Sequence, residues 1–238
     1  MEKENTEECV SDSKESVDPK KINKTKKIIS MTKNNYAIML KRLKRKSKFA
    51  NNILIYYSLA LIVFSLTAKY FNQFNRTYAE YIGILLSTVV LVYSLINNNA
   101  NYQIRIIRIE EALNHTKKLQ RELTPEIKMS QYKKIVDDYE DVTKCTEIRA
   151  DVDFFINVKS MCKKYNVNIL TKKKRDCNES DIRKIIEDDE RDQNIRVIND
   201  YLSELNIFLL IASIVFDYIR ELIIYILPVG IFILLFFI

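Results

Sequence analysis

Apolar residues in this chain fall into three long blocks separated by polar stretches of a different period. Ile53–Ala68 (ILIYYSLALIVFSLTA) and Tyr81–Ile96 (YIGILLSTVVLVYSLI) contain no charge. Each is a few residues short of the ~20 that cross a hydrocarbon layer, and the uncharged flanks Phe49–Asn52 and Tyr78–Ala79 supply the difference. A soluble helix would be polar on one face, whereas these are apolar all round. The short link Lys69–Thr77 predicts a helical hairpin, with spans over about 50–70 and 78–97. Tyr56, Tyr57, Tyr70, Tyr78, Tyr81 and Tyr93 gather toward the span ends, as an interfacial aromatic belt does. The third block is C-terminal. Ile207–Phe216 is interrupted by Asp217, Arg220 and Glu221, and Leu222–Ile238 (LIIYILPVGIFILLFFI) then runs uncharged. Leu222–Ile238 reads as a third span, or 207–238 as a re-entrant membrane element, with Pro228 and Gly230 allowing a kink in either; the alternative is an oligomer-packed helix at the membrane surface.

Between the second and third blocks the pattern is that of amphipathic helices. Tyr102, Ile106, Ile109 and Leu113 recur at 4-3-4 spacing and predict a helix leaving the second span without a breaker, to about Leu123. Thr124-Pro125 offers an N-cap and a proline for the first turn of the next helix, marked by Tyr132, Ile135, Val136 and Tyr139. Val152, Phe155, Ile156 and Cys162 mark a further one. Residues 171–180 read as a polar loop, and Ile195, Ile198, Leu202, Leu205 and Leu209 as a long helix from about Asp181. The resulting organisation is a disordered acidic-then-basic tail (1–32), a basic juxtamembrane helix (33–48), the transmembrane hairpin (49–96), a cytoplasmic helical region (97–206) and a C-terminal hydrophobic segment (207–238). The fold class is an all-α membrane protein. Two Gly and three Pro in 238 residues agree with it, since tight β-turns and glycine-rich phosphate loops need Gly at fixed positions.

Charge sets the orientation. The net charge is +7, but it is concentrated: residues 20–48 hold twelve Lys or Arg and no acid, residues 97–206 hold 21 of each sign, and the first 18 residues carry seven acids against two lysines. Lys41, Arg42, Lys44, Arg45, Lys46 and Lys48 stand directly before the first span, against only Lys69 and Arg76 in the link. By the positive-inside rule both flanks of the hairpin are cytoplasmic, so the expected location is the cell membrane, multi-pass. The same six residues suit anionic lipid. Binding of nucleic acid by residues 20–48 is the lesser reading of the run.

No catalytic chemistry stands out. One His, four Cys without a C-x-x-C pair, and carboxylate pairs such as Asp137–Asp138 and Asp151–Asp153 on exposed helix faces predict no enzyme, no metal site and no cofactor. The polar residues within the spans are more informative. Ser58 and Ser65 lie seven apart, and Gly83, Ser87 and Ser94 four and then seven apart, so each set lines one helix face. Small residues there let two helices approach closely, which makes them either the seam of the hairpin or, in an oligomer, the wall of a water-filled path.

Taken in order, LKRLKRKSKFANNILIYYSLALIVFSL, the hairpin, YSLINNNANYQIRIIRIEEALNHTKKLQREL and SQYKKIVDDYEDVTKCTEIRADVDFF resemble the SLATT family, the SMODS- and SLOG-associating two-transmembrane effector domains of bacteria. The likeness covers roughly residues 33–238 and is strongest in the Tyr-rich first span and the exit at Asn101, Tyr102 and Arg105. It implies a membrane effector of a prokaryotic conflict or antiphage system, oligomeric and pore-forming or membrane-disrupting. Such an effector answers a nucleotide-linked signal through a nucleotide-signalling or sensor protein. The alternative is a non-conducting membrane anchor or adaptor for a cytoplasmic partner.

Overall fold

The computed structural model describes residues 17–70, 76–170, 198–199, 201–202 and 205–237. The regular elements among them are six α-helices: α1 (Pro19–Tyr70), α2 (Arg76–Asn99), α3 (Tyr102–Glu122), α4 (Met129–Cys145), α5 (Asp151–Lys164) and α6 (Ile207–Phe237). Among the described residues two helical stretches, within Pro19–Tyr70 and Glu80–Glu122, are long and apolar enough to cross a membrane, and only 22% and 6% of their apolar windows is buried within the chain. The chain is an all-α membrane protein. The polar loop 171–180 and most of the helix expected after Asp181 lie outside the described residues.

Helix α1 starts well before the expected end of the tail, so residues 19–32 are helical and not disordered. The cause is local. The Lys20 amide donates to the Asp18 carboxylate at 2.9 Å, making Asp18 an N-cap, and Pro19 takes the first helical position, where its missing N–H costs nothing. Buried residues then recur every seven positions through the basic segment and the span: Ile22, Ile29, Tyr36, Leu43, Ala50, Tyr57 and Phe64. A strict heptad over this length keeps one seam of the helix facing its partners.

The expected unbroken exit from the second span is interrupted. Asn101 adopts φ 46°, the left-handed region that Asn tolerates better than most side chains, and α2 ends there. The chain restarts at once as α3, with the Arg105 amide donating to the Asn101 carbonyl at 3.1 Å. Thr124 and Pro125 do not open α4. They form the turn after α3, closed by the Ile127 amide on the Thr124 carbonyl at 3.4 Å, and α4 begins at Met129.

The chain divides into two compact units that share α1 and α3. The first comprises the described residues up to Asn34 together with Glu111–Glu147. Its core is Ile22 and Ile29 of α1, Leu119 and Leu123 of α3, and Tyr132 and Ile135 of α4. Thr25 and Thr32 share hydrogen bonds of 2.7 Å with the hydroxyls of Tyr132 and Tyr139. Both pairs step by seven residues in the same direction, so α4 runs parallel to this part of α1. The second unit holds α1 from Asn35, α2, α3 as far as Glu110, α5 and α6.

Candidate functional site

The six basic residues before the first span do not act as one patch. Arg42 donates from Nε and Nη2 to the two carboxylate oxygens of Asp153, at 2.7 and 2.8 Å, and the Asp153 side chain is fully buried. Arg45 stacks over the Tyr218 ring at 5.0 Å, donates to its hydroxyl at 2.9 Å and lies 3.5 Å from Glu221. Lys44 makes an exposed pair with Glu110 at 3.5 Å, a contact of small energetic weight. Among the described residues, Lys41, Lys46 and Lys48 pair with no carboxylate. Three of the six are therefore committed to contacts inside the chain.

Arg42–Asp153 is a polar rung joining α1 to α5. Another is Asn157, whose side-chain amide donates to Asn35 at 2.7 Å, both residues being buried. A forked guanidinium against a carboxylate supplies two parallel charge-assisted bonds, which compensates the burial of the acid. Asp153 also accepts the Ala150 amide at 3.4 Å and so caps the start of α5. The other end of α5 closes on Asn166 at φ 56°. The Val167 amide donates to Cys162 O at 2.9 Å and the Asn166 amide to Lys163 O at 3.4 Å. This is a Schellman closure with Asn in the glycine place, and Cys162 and Val167 are its buried apolar pair. Burial raises the Cys162 thiol above its ordinary pKa, so at neutral pH less of it is the reactive thiolate. In a maleimide time course read by peptide mass spectrometry, exposed Cys145 should label quickly and Cys162 only after denaturation. Equal rates would mean that α5 is not docked.

The apolar part of α1 packs against α2 and α6. Ile53, Tyr57 and Leu86 are buried together with Ile82, Val90, Ile224 and Ile231 around them, and Phe64 sits against Ile82, Ile231 and Phe232. Asn97 of α2 reaches Asn51 at 3.3 Å, so α2 is antiparallel to α1. Helix α6 is parallel to it, because Tyr218 and Glu221 meet Arg45 while Phe232 meets Phe64, their rings 6.1 Å apart. The helix is continuous through Pro228. A proline inside a helix removes the N–H that would bond the carbonyl four residues back and crowds that carbonyl. That residue is Ile224, and the Tyr57 hydroxyl donates to its oxygen at 2.9 Å, while Tyr56 donates to Tyr225 O at 3.2 Å. Adjacent tyrosines on α1 thus satisfy adjacent carbonyls on α6 beside its proline.

The small residues of the spans sit elsewhere. Ser58, Ser65, Ser87 and Ser94 are exposed, and around Gly83 an added Cβ would meet nothing within 4 Å. The seam expected of them is instead made by Tyr57, Phe64 and Leu86. Ser58, Ser65 and Ser87 each follow one of these by one residue, a turn of ~100° about the helix axis. Ser58 and Ser87 bond back to the carbonyls of Leu54 and Ile84, both at 2.8 Å. Large apolar neighbours share the outer surface, among them Ile55, Leu59, Ile62, Leu66, Ile84 and Leu91.

Among the described residues the layout is two helical stretches long and apolar enough to span a membrane, followed by further α-helices. The chain matches the SMODS and SLOG-associating 2TM effector domain family 5 over residues 18–235 and belongs to that family. No curated protein and no solved structure matches it.

Proposed function

We propose that the chain is a non-enzymatic effector of a prokaryotic conflict system that assembles in the cell membrane and makes it permeable in response to a nucleotide-linked signal. The observation that supports this most directly is the outward face of α1 and α2. It carries large apolar residues together with Ser58, Ser65, Ser87 and Ser94, all exposed. Lipid accepts the apolar residues without help. The serines can face lipid only by bonding back to their own helix, as Ser58 and Ser87 do. Between copies of the chain they would provide close packing and a hydroxyl-lined surface. In this reading α6 is a third membrane helix, with the Asp217–Glu221 charges at the cytoplasmic interface beside Arg45, and Lys41, Lys46 and Lys48 hold the hairpin in its orientation. The partner is a nucleotide-signalling or sensor protein.

The test is depolarisation in cells, read with a potential-sensitive dye, after induction of the chain together with its cognate signalling partner. The wild-type chain should depolarise. The double variant Ser58→Leu, Ser65→Leu should insert and oligomerise but conduct little, since a hydrophobic constriction gates by dewetting. Unchanged depolarisation in that variant removes this face from the conducting path. No depolarisation by the wild-type chain favours a non-conducting anchor for a cytoplasmic partner.

A further inference from the structure

The first unit contains a cleft with no counterpart in the membrane-effector reading. Its volume is about 600 Å³, within the range of small-ligand sites. Two of its cations, Lys26 and Lys33, come from α1, two turns apart. Two more, Lys117 and Arg121, come from α3, one turn apart, and Gln120 and Thr124 add an amide and a hydroxyl. Among the described residues no Asp or Glu lines it. Among the described residues none of the four cations pairs with a carboxylate, although Lys118, adjacent in sequence, pairs with Glu122 at 3.9 Å.

Like charges four apart on a helix repel, as Lys117 and Arg121 do, and the cleft sets them opposite Lys26 and Lys33, seven apart on α1, with no acid between the two pairs among the described residues. One member is already positioned. Lys33 is half-buried and donates from Nζ to Gln120 Oε1 at 2.8 Å, which leaves protons on the ammonium for a ligand. Arg121 adds a planar fork suited to phosphate oxygens. A monovalent anion would leave most of this charge uncompensated, and a single convergent cleft does not offer the row of contacts that tracks a nucleic-acid backbone. We infer that this cleft binds a compact multivalent phosphate, the ligand lying between Lys26 and Lys33 on one side and Lys117 and Arg121 on the other. The chemistry is shared by a soluble polyphosphate group and by a phosphomonoester lipid headgroup. The inference does not depend on whether the hairpin conducts.

The experiment uses the full chain in nanodiscs. In one arm the discs contain only zwitterionic lipid and inorganic tripolyphosphate is titrated calorimetrically. In the other, binding to vesicles containing phosphatidic acid is measured by flotation. The variants are Lys117→Gln with Arg121→Gln, and separately Lys26→Gln with Lys33→Gln. Each pair should weaken binding by about tenfold or more, because each removes two charge-assisted contacts. Lys118→Gln should leave it unchanged, and circular dichroism should show all variants equally helical. Tripolyphosphate binding with this residue dependence supports a soluble ligand. The same dependence seen only on phosphatidic acid vesicles supports a lipid headgroup. Absence of binding in both arms, or binding indifferent to either helix's pair, overturns the inference. So does tighter binding of duplex DNA than of tripolyphosphate with contributions spread over the lysines of residues 20–48.

Discussion

Replacing Arg42 by Leu should destabilise the second unit by about 3–5 kcal/mol, the range for stranding one member of a buried ion pair. Asp153 is fully buried and receives both arms of the guanidinium, so the variant leaves a carboxylate that must either remain charged without a partner or take up a proton. Lys41→Gln, one residue away and exposed, should stay within about 0.5 kcal/mol of wild type. The measurement is denaturation in detergent followed by circular dichroism, together with the labelling rate of Cys162, which should rise as α5 loosens. The double variant Arg42→Leu, Asp153→Leu should recover most of the loss, because a buried pair is commonly replaceable by apolar residues of similar volume. Arg42→Leu behaving like Lys41→Gln would mean that the pair does not hold α5 in place. One consequence concerns orientation. Neutralising all six basic residues before the span would disturb α5 as well as topology, so a clean test of the positive-inside argument uses Lys41, Lys46 and Lys48 alone.

The parts of this architecture that sequence reveals are those written in one dimension. A run apolar all round has few soluble fates, and the two spans are such runs. The heptad in α1 is equally open to inspection as Ile22, Ile29, Tyr36, Leu43, Ala50, Tyr57 and Phe64, but the charge of residues 20–48 draws attention to composition instead of period. Asp18-Pro19 is likewise a readable helix start. Period alone could not place the serines. Ser58 and Ser65 repeat with the same spacing as Tyr57 and Phe64, and only packing determines which of two faces ~100° apart turns inward. Residue bulk would have been a better guide, since in α1 the aromatic set is buried and the serine set exposed. Contacts such as Arg42 with Asp153 or Arg45 with Glu221 join positions more than a hundred residues apart, and the cleft gathers Lys26 and Lys33 with Lys117 and Arg121 from a distant helix. Local pattern carries no record of those pairings. Asn101 and Asn166 show a further limit: a helix can end on Asn in the left-handed region, so a scarcity of Gly does not imply unbroken helices.

Removing the hydroxyls of Tyr56 and Tyr57 together should detach α6 from the hairpin. Both rings would remain as Phe, so apolar packing against Phe49, Tyr225 and Ile224 is nearly preserved and the change isolates two hydrogen bonds. In water their loss would be modest, because solvent would satisfy the freed carbonyls. If α6 lies in the membrane as proposed, hydrocarbon offers no such replacement, and an unsatisfied backbone carbonyl costs several kcal/mol. Ile224 is the more exposed to this penalty, since Pro228 has removed its helical donor, and the Tyr57 hydroxyl at 2.9 Å stands in for it. Tyr57→Phe alone should therefore weaken docking more than Tyr56→Phe, whose acceptor, Tyr225 O, lies at 3.2 Å. Replacing Pro228 by Ala in the double-Phe background should restore docking, because the alanine supplies the backbone amide that proline lacks and can bond Ile224 O within α6. The readout is oxidative cross-linking between cysteines placed at Phe64 and Phe232, whose rings are 6.1 Å apart, in membranes and not in detergent. Efficient cross-linking in the wild-type background, its loss in the double-Phe chain and its return with Pro228→Ala would establish that the two tyrosines complete a helix their own chain leaves incomplete. Equal cross-linking in all three would show that aromatic packing alone holds α6 and that the two hydroxyls are dispensable.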